Sequence, residues 1–455
     1  MGSISKARRS WWSALVIATL AATAASAQST PTDMPQSSEK KPEERATGAP
    51  LPAVATVGPA REIKLSENTW FRFGAQVQAW AKFGQDRILQ PDGSDGGYAV
   101  DYYCRRCRFF ATGSVVKDVY FNILFEASNL GKADTATGVK SFAAPSVLDA
   151  YAQVKFVDAF WLSGGSILLP LTRNGTQPTT TYLSIDNANV DVTPILQGNT
   201  NVIRDLGFQA NGFFFANHLE YRVGVFQGSR QPALATQTAS HNAPRFVAMV
   251  SANLWDTETG YVNGGHYFGA KKVLGVMGNF DYQALRTASP SLCSPPAVPC
   301  TGAGAGVPKD PYKGFSAAVF INYPLNGPSP KGGDELVGLL QFGYYDGGAS
   351  ASGNPGSYPA VLKQQNYLAE GAYYSHGLKL SVFGKFEMRK ISDDFPTAKP
   401  TQNLTWIAGG LKYYVAPFNL MNFGLQYERI INNDAPSTQQ GGTNNITFQM
   451  QLILY

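Results

Sequence analysis

Long apolar runs are what this chain lacks first. After the N-terminal leader, no segment offers the roughly 18 consecutive apolar residues of a membrane-spanning helix, so a helical membrane protein is excluded. Charge is scarce too. Charged residues make up 15% of the chain, and the 37 basic ones, less three in the leader, stand nearly level with the 32 acidic ones. That balance leaves no basic footprint for nucleic acid. Only four histidines occur, His218, His241, His266 and His376, and none has a neighbour at metal-ligand spacing. His218 and His376 fall in short turns, the other two in polar or Gly-rich connectors. No Gly-x-Ser-x-Gly nucleophile elbow is present. The sequence therefore points to no catalytic residues, no metal and no cofactor. A fixed-period repeat of the solenoid kind is also missing.

What is there begins with an export address. Lys6, Arg8 and Arg9 form a positive region, Trp11 to Ala24 is a short apolar core, and Ala25-Ser26-Ala27 fits the cleavage rule of signal peptidase. Residues 1–27 are expected to be a signal peptide of the general secretory route, cut before Gln28. No Cys follows the cut, which argues against a lipoprotein anchor. Residues 28–62 are rich in Pro, Thr, Ser, Lys and Glu and are expected to form a flexible periplasmic segment, because they cannot bury enough apolar surface to order themselves.

From Thr69 onward the pattern has period two, and residues 63–455 read as one all-β unit. Phe71, Phe73, Ala75, Val77, Ala79 and Ala81 share one strand face; Arg72, Gly74, Gln76, Gln78 and Lys82 share the other. The same alternation recurs in Arg106 to Val115, Val119 to Ala127, Leu148 to Phe156, Leu378 to Glu387 and Asn445 to Leu454. About sixteen strands are predicted. They begin near Thr69, Arg106, Asp118, Val147, Phe160, Asp205, His218, Pro244, Lys271, Tyr312, Leu336, Gln364, Leu378, Leu404, Leu420 and Asn444. Those from Phe160, Leu336 and Leu404 alternate poorly. Connectors alternate short and long, as periplasmic turns and external loops of an outer-membrane barrel do. Two on the short side, Trp255 to Ala270 and Pro324 to Glu335, are long and Gly-rich, and read as extended turns.

A soluble β-sandwich would also alternate. Here, however, the apolar faces carry Phe, Ala and Gly, and aromatics gather at strand ends, among them Trp80, Tyr102, Tyr103, Trp161, Tyr344, Tyr345, Tyr373, Tyr374, Tyr413 and Tyr414, as in a membrane-interface girdle. The fold expected is a closed transmembrane antiparallel β-barrel in outer-membrane lipid, since an open sheet edge in lipid would leave backbone groups unpaired. Sixteen strands enclose a lumen too wide for side chains to fill, so a water channel follows. The alternative functions are a surface adhesin or structural barrel and, behind these, a barrel enzyme.

Four cysteines stand in an exported chain, where disulfides persist. Cys293 and Cys300 flank a Pro-rich loop and read as a loop disulfide. Cys104-Arg-Arg-Cys107 reads as a local disulfide, with redox or metal chemistry as its alternative.

Several stretches resemble the phosphate-selective porin O and P family. They are Arg105-Arg-Cys-Arg-Phe-Phe-Ala-Thr-Gly113; Leu148-Asp-Ala-Tyr-Ala-Gln-Val-Lys-Phe156 with Gly164-Gly165 and Leu169-Pro-Leu-Thr172; Arg204-Asp-Leu-Gly-Phe-Gln209; and Gly260-Tyr261 with Tyr267-Phe-Gly269 and Lys272. The likeness runs from about Trp70 to Tyr455. It implies a sixteen-stranded homotrimeric channel whose third external loop, Pro170 to Arg204, folds into the pore. The chain departs from the family in that this loop offers only Arg173 before Arg204, alongside Asp186 and Asp191. Tyr455 also falls on the parity of Gln449 and Gln451.

Selectivity in a wide pore comes from charges at a constriction. By strand parity the wet basic residues are Arg72, Lys82, Arg106, Arg108, Lys155, Arg222, Arg245, Lys379, Lys385 and Arg389, against Glu126, Asp149, Glu220, Glu370, Glu387 and Glu428. Glu220/Arg222 and Lys385/Glu387/Arg389 look like mutual partners. With Arg173 as the leading candidate and Arg204 closing the loop, the expectation is passive diffusion of small hydrophilic or anionic solutes with a weak preference for anions.

Overall fold

The computed structural model describes residues 62–455 except 91–92, 134–138, 143, 193–202, 229–242, 285–310, 347–362, 393–402, 417–418, 433, 436–438 and 455. The stretch expected to be a signal peptide, all but the last residue of the stretch expected to be a flexible periplasmic segment, and the Cys293–Cys300 loop disulfide expected from the sequence lie outside the described residues, as does Tyr455.

A two-residue strand, β1 (Ile63–Lys64), pairs with the first barrel strand. The barrel runs β2 (Trp70–Gln85), β3 (Tyr98–Val116), β4 (Val119–Leu130), β5 (Ser146–Val157), β6 (Phe160–Leu168), β7 (Arg204–Phe214), β8 (Leu219–Phe226) and β9 (Arg245–Asn253). It continues with β10 (Val273–Gln283), β11 (Tyr312–Pro324), β12 (Glu335–Asp346), β13 (Gln364–Ser375), β14 (Leu380–Ile391), β15 (Leu404–Ala416), β16 (Met421–Asn432) and β17 (Gly442–Leu454). Each strand pairs antiparallel with the next, and β17 returns to β2 from Asn445↔Gly84 to Leu454↔Ala75, so the sheet has no open edge. Most strand starts fall within a few residues of the sequence expectation. The main exception is β3, which begins at Tyr98 rather than near Arg106 because β2 pairs with it up to Gln85↔Tyr98.

The polarity of the wall is inverted relative to a soluble protein. Every strand from β2 to β17 carries exposed large apolar side chains, for example Phe73, Phe109, Leu206, Val250, Leu340 and Ile446. Burying such a side chain is worth about 1.5–3 kcal/mol, so in water this belt would be untenable; against lipid it is at rest. The inner face is polar, with Gln76, Gln78, Asn122, Gln153, Asn211, Asn279, Gln449 and Gln451 all buried within the barrel.

The aromatic pairs obey strand parity, so only half of each pair can face the membrane. Tyr102, Tyr373 and Tyr413 are exposed, whereas their neighbours Tyr103, Tyr374 and Tyr414 are buried inside, as is Trp161. The girdle read from the sequence is thus halved. Lys379, expected on a wet strand face, lies in the turn before β14 at φ 53° and is exposed.

Two of the three poorly alternating strands, those from Leu336 and Leu404, have a physical cause. On β12 and β15 the inward positions themselves are apolar: Val337, Leu339, Leu404, Trp406 and Ala408. They face a loop folded into the lumen, so both faces of these strands are greasy.

Candidate functional site

Two connectors enter the barrel, one from each end. Loop L3 (169–203, described at 169–192 and 203) comes from the end of the long connectors. Connector T4 (254–272) comes from the end that holds the short turns, Trp70 and Leu454. T4 is the first of the two Gly-rich connectors that broke the short-turn rule.

L3 is held against β10–β16 by both kinds of contact. Its Leu183, Ile185, Ala188 and Val190 pack on Phe320, Leu339, Leu368, Phe383 and Trp406 of the wall. Each of the larger three contributes roughly 1.5–3 kcal/mol by burial. Wall side chains then satisfy the loop backbone, which has no sheet partner. Ser184 N–H donates to Glu370 at 2.8 Å, Val190 N–H to Glu387 at 3.0 Å and Asn174 N–H to Gln341 at 3.0 Å. Asn366 donates to the Val190 carbonyl at 2.8 Å, and Lys412 donates to that of Tyr182. The short helix α1 (Asn189–Val192) carries Asp191, which accepts from Gln341 at 2.7 Å. Burial pushes the Asp191 carboxyl up to about 7; Gln341 opposes the shift and Glu387 adds to it.

T4 docks onto L3 beneath it. Arg173 and Glu258 form a two-pronged ion pair, Nη1 to Oε2 at 3.0 Å and Nη2 to Oε1 at 2.8 Å, and Arg173 also donates to the Gly264 carbonyl. Its guanidinium lies 4.1 Å from the Phe320 ring centre. Asn263 N–H donates to the Thr176 carbonyl, Gly265 N–H to Thr181 Oγ1 at 2.8 Å, and Tyr261 O–H receives Leu168 N–H at 2.7 Å. Gly265 is required there, because a Cβ would stand 1.9 Å from the Thr181 carbonyl oxygen. The second Gly-rich connector, T5 (325–334), donates Ser329 N–H to Gly269 and Gly333 N–H to Phe268, which ties the two connectors together.

L3 and T4 leave a cavity of about 480 Å³ against β2–β7, lined by charged and apolar side chains together. Four guanidinium groups line it, those of Arg105, Arg106, Arg108 and Arg204, against the carboxylates of Glu126 and Asp149. Arg108 pairs with Glu126 and donates to Thr179 of L3 at 2.8 Å; Arg204 meets Asp149 at 3.1 Å. Arg105 and Arg106 reach the two oxygens of Asp186, on L3, at 3.0 and 2.6 Å. Burial alone would raise the Asp186 carboxyl, but the two guanidinium groups outweigh it and hold it well below the usual range. Three of the four are partly wet, the Arg105, Arg108 and Arg204 side chains being 21%, 11% and 13% exposed, while Arg106 is buried.

Of the eight candidate cations, Arg108 and Arg204 line this cavity. Arg173 does not; it is 2% exposed and occupied by Glu258 at the root of L3. Arg222 is buried with Glu220 and donates to the Tyr261 and Gly260 carbonyls of T4. Arg245 is buried between Asp281 and Asp205, and Lys385 is paired with Glu387 under L3. Arg389 stacks over Trp406, and Lys155 pairs with Asp158 at the short-turn rim. Parity reading missed Arg105, which stands just before the run from Arg106 that reads as the strand. The register of β3 shifts at that point, Gln78 facing Arg106 and Ala79 facing Cys104, so Arg105 is an extra residue. Cys104 and Cys107 are joined by a disulfide.

Among the described residues no group of three or more His, Cys, Asp or Glu stands close enough to hold a metal ion. No family model matches the sequence, and no curated protein matches it. Solved structures do. The chain is similar to Salmonella typhi OmpF, solved in complex with daunomycin, at TM-score 0.53 and 13% identity over 86% of this chain and 100% of that one. It is similar to Pseudomonas putida OprB at TM-score 0.50 and 8% identity, over 84% and 94% of the two chains. It is similar to the outer membrane channel DcaP of Acinetobacter baumannii at TM-score 0.50 and 11% identity, over 86% and 99%. At such identities the likeness concerns the fold. With its closed sheet and apolar exterior, the chain has a porin-type outer-membrane β-barrel fold.

Proposed function

We propose that the protein is a passive diffusion channel for small hydrophilic solutes with a mild preference for anions. The path runs through the cavity between L3 and the β2–β7 wall. One observation carries the reading: four guanidinium groups line that cavity against two carboxylates, inside a closed barrel with a polar lumen. Partly wet charges at a constriction bias which ion enters. Asp186, Glu126 and Asp149 hold the arginines in place and leave a small positive excess, which suits weak anion preference rather than tight capture of one solute. Phosphate is the first anion to try, given the resemblance to the phosphate-selective family, and the same resemblance supports a homotrimer. The test is the reversal potential of purified protein in planar bilayers across a salt gradient. An anion-to-cation permeability ratio above one is expected. Conduction with a ratio at or below one would refute the anion reading, and no conduction would leave a structural or adhesive barrel. Native mass in detergent reads the trimer directly.

A further inference from the structure

The Cys104-Arg-Arg-Cys107 segment places its two arginines where a regular strand cannot. Residues three apart on a strand lie about 10 Å apart and on opposite faces, beyond the roughly 7 Å limit for bridging two cysteines. Here the Cα atoms are 6.2 Å apart. The two cysteines share the outward face, since Cys104 has the parity of exposed Tyr102 and Cys107 that of exposed Phe109. The contraction is the bulge: Cys104 faces Ala79, Arg106 faces Gln78, and Arg105 has no residue opposite. Its consequence is that two consecutive residues, Arg105 and Arg106, both turn inward and close on the one carboxylate of Asp186. Arg105 is steadied by the Trp80 ring at 5.5 Å and by Asn129.

We propose that the Cys104–Cys107 disulfide is a positioning clasp for selectivity: it holds the β3 bulge that delivers Arg105 as an additional cation to the lumen. The proposal rests on the charged cavity being the conducting path. Without the clasp, β3 can recover regular alternation over this stretch, which turns Arg105 away from the cavity and leaves Arg106 alone on Asp186.

The test uses the full-length folded protein. A dithiol such as dithiothreitol, applied in detergent before reconstitution, supplies two electrons and two protons. The S–S bond breaks, two thiols form, and the reagent closes to its own cyclic disulfide. Reduction is expected to lower the anion-to-cation permeability ratio about twofold, the combined effect on anion and cation of one unit charge at roughly 8 Å across water screened by about 0.1 M salt. The Cys104→Ser/Cys107→Ser variant should match the reduced protein and ignore the reagent. Arg105→Gln should show the lowered ratio already when oxidised, with no further shift on reduction. A purely structural disulfide would change folding or heat-modifiable migration and leave the ratio alone. The clasp is overturned if reduction of folded wild type leaves the ratio unmoved, or moves it equally in Arg105→Gln. The shift toward cations is expected whatever the starting ratio. A starting ratio at or below one therefore refutes the anion reading, while the shift still decides the clasp.

Discussion

Glu258→Gln removes one charge from the pair that fastens T4 to L3. The two side chains are 3% and 4% exposed, so Arg173 would remain as a buried cation that has lost its direct ion-pair partner, held by the Gly264 carbonyl, the Phe320 face, the new amide oxygen and the more distant charge of Glu220. Breaking such a pair from one side costs about 3–5 kcal/mol. The wall does not depend on it: β9, β10 and β11 are joined by unbroken ladders. The cost therefore falls on docking of the two connectors. At about 1.4 kcal/mol per factor of ten, the undocked fraction should rise roughly a hundredfold or more. The tip of L3 should stay seated, because Leu183, Ile185 and Val190 pack elsewhere; the root and T4 should loosen. Single-channel recordings are expected to show frequent excursions to larger conductance, and amide exchange should speed up over 169–178 and 254–272 while the strands stay protected. Replacing both partners, Arg173→Met with Glu258→Met, should largely restore the quiet channel, since losing both charges is close to neutral. A Glu258→Gln channel with wild-type conductance, noise and exchange would refute the reasoning.

Gly265→Ala should loosen the same joint by sterics, because the added methyl would meet the Thr181 carbonyl at 1.9 Å; amide exchange at Thr176 and Gly265 reads it. Arg204→Gln removes a lining cation from beside Asp149 and should reduce the anion-to-cation ratio about twofold in reversal-potential measurements. Docking of α1 should depend on pH through Asp191, whose carboxyl is raised from 3.8 to about 7 in the docked loop. A raised carboxyl favours the docked state below its ordinary value, and that contribution is lost as pH climbs through about 7. Protection over 183–191, taken relative to the intrinsic base-catalysed exchange rate, should therefore be stronger at pH 5 than at pH 8, and Asp191→Asn should flatten the difference.

The barrel was legible because its determinants are local. A side chain on a strand faces one of two sides, and lipid on one side with water on the other writes that choice into alternate residues, as from Phe71 to Lys82 or from Asn445 to Leu454. Connector length marked the two ends, and the two connectors of the wrong length, T4 and T5, proved to be those with work inside or beside the lumen. The poor alternation around Leu336 and Leu404 was a real signal too: it marked where the wall faces protein instead of water. What no parity count could supply is which inward charge meets water. Arg222, Arg245 and Lys385 carry the same local pattern as Arg108, yet they, like Arg173 on its loop, are spent on buried carboxylates and connector carbonyls. Arg105 reached the cavity only because a bulge displaced the register by one. Alternation is a property of neighbours in the chain, so the sequence by itself determined the wall. Where L3 and T4 come to rest depends on partners far off in the chain, 85 positions away for Arg173 with Glu258 and 198 for Asn189 with Glu387, so only the tertiary structure decided the shape and charge of the opening.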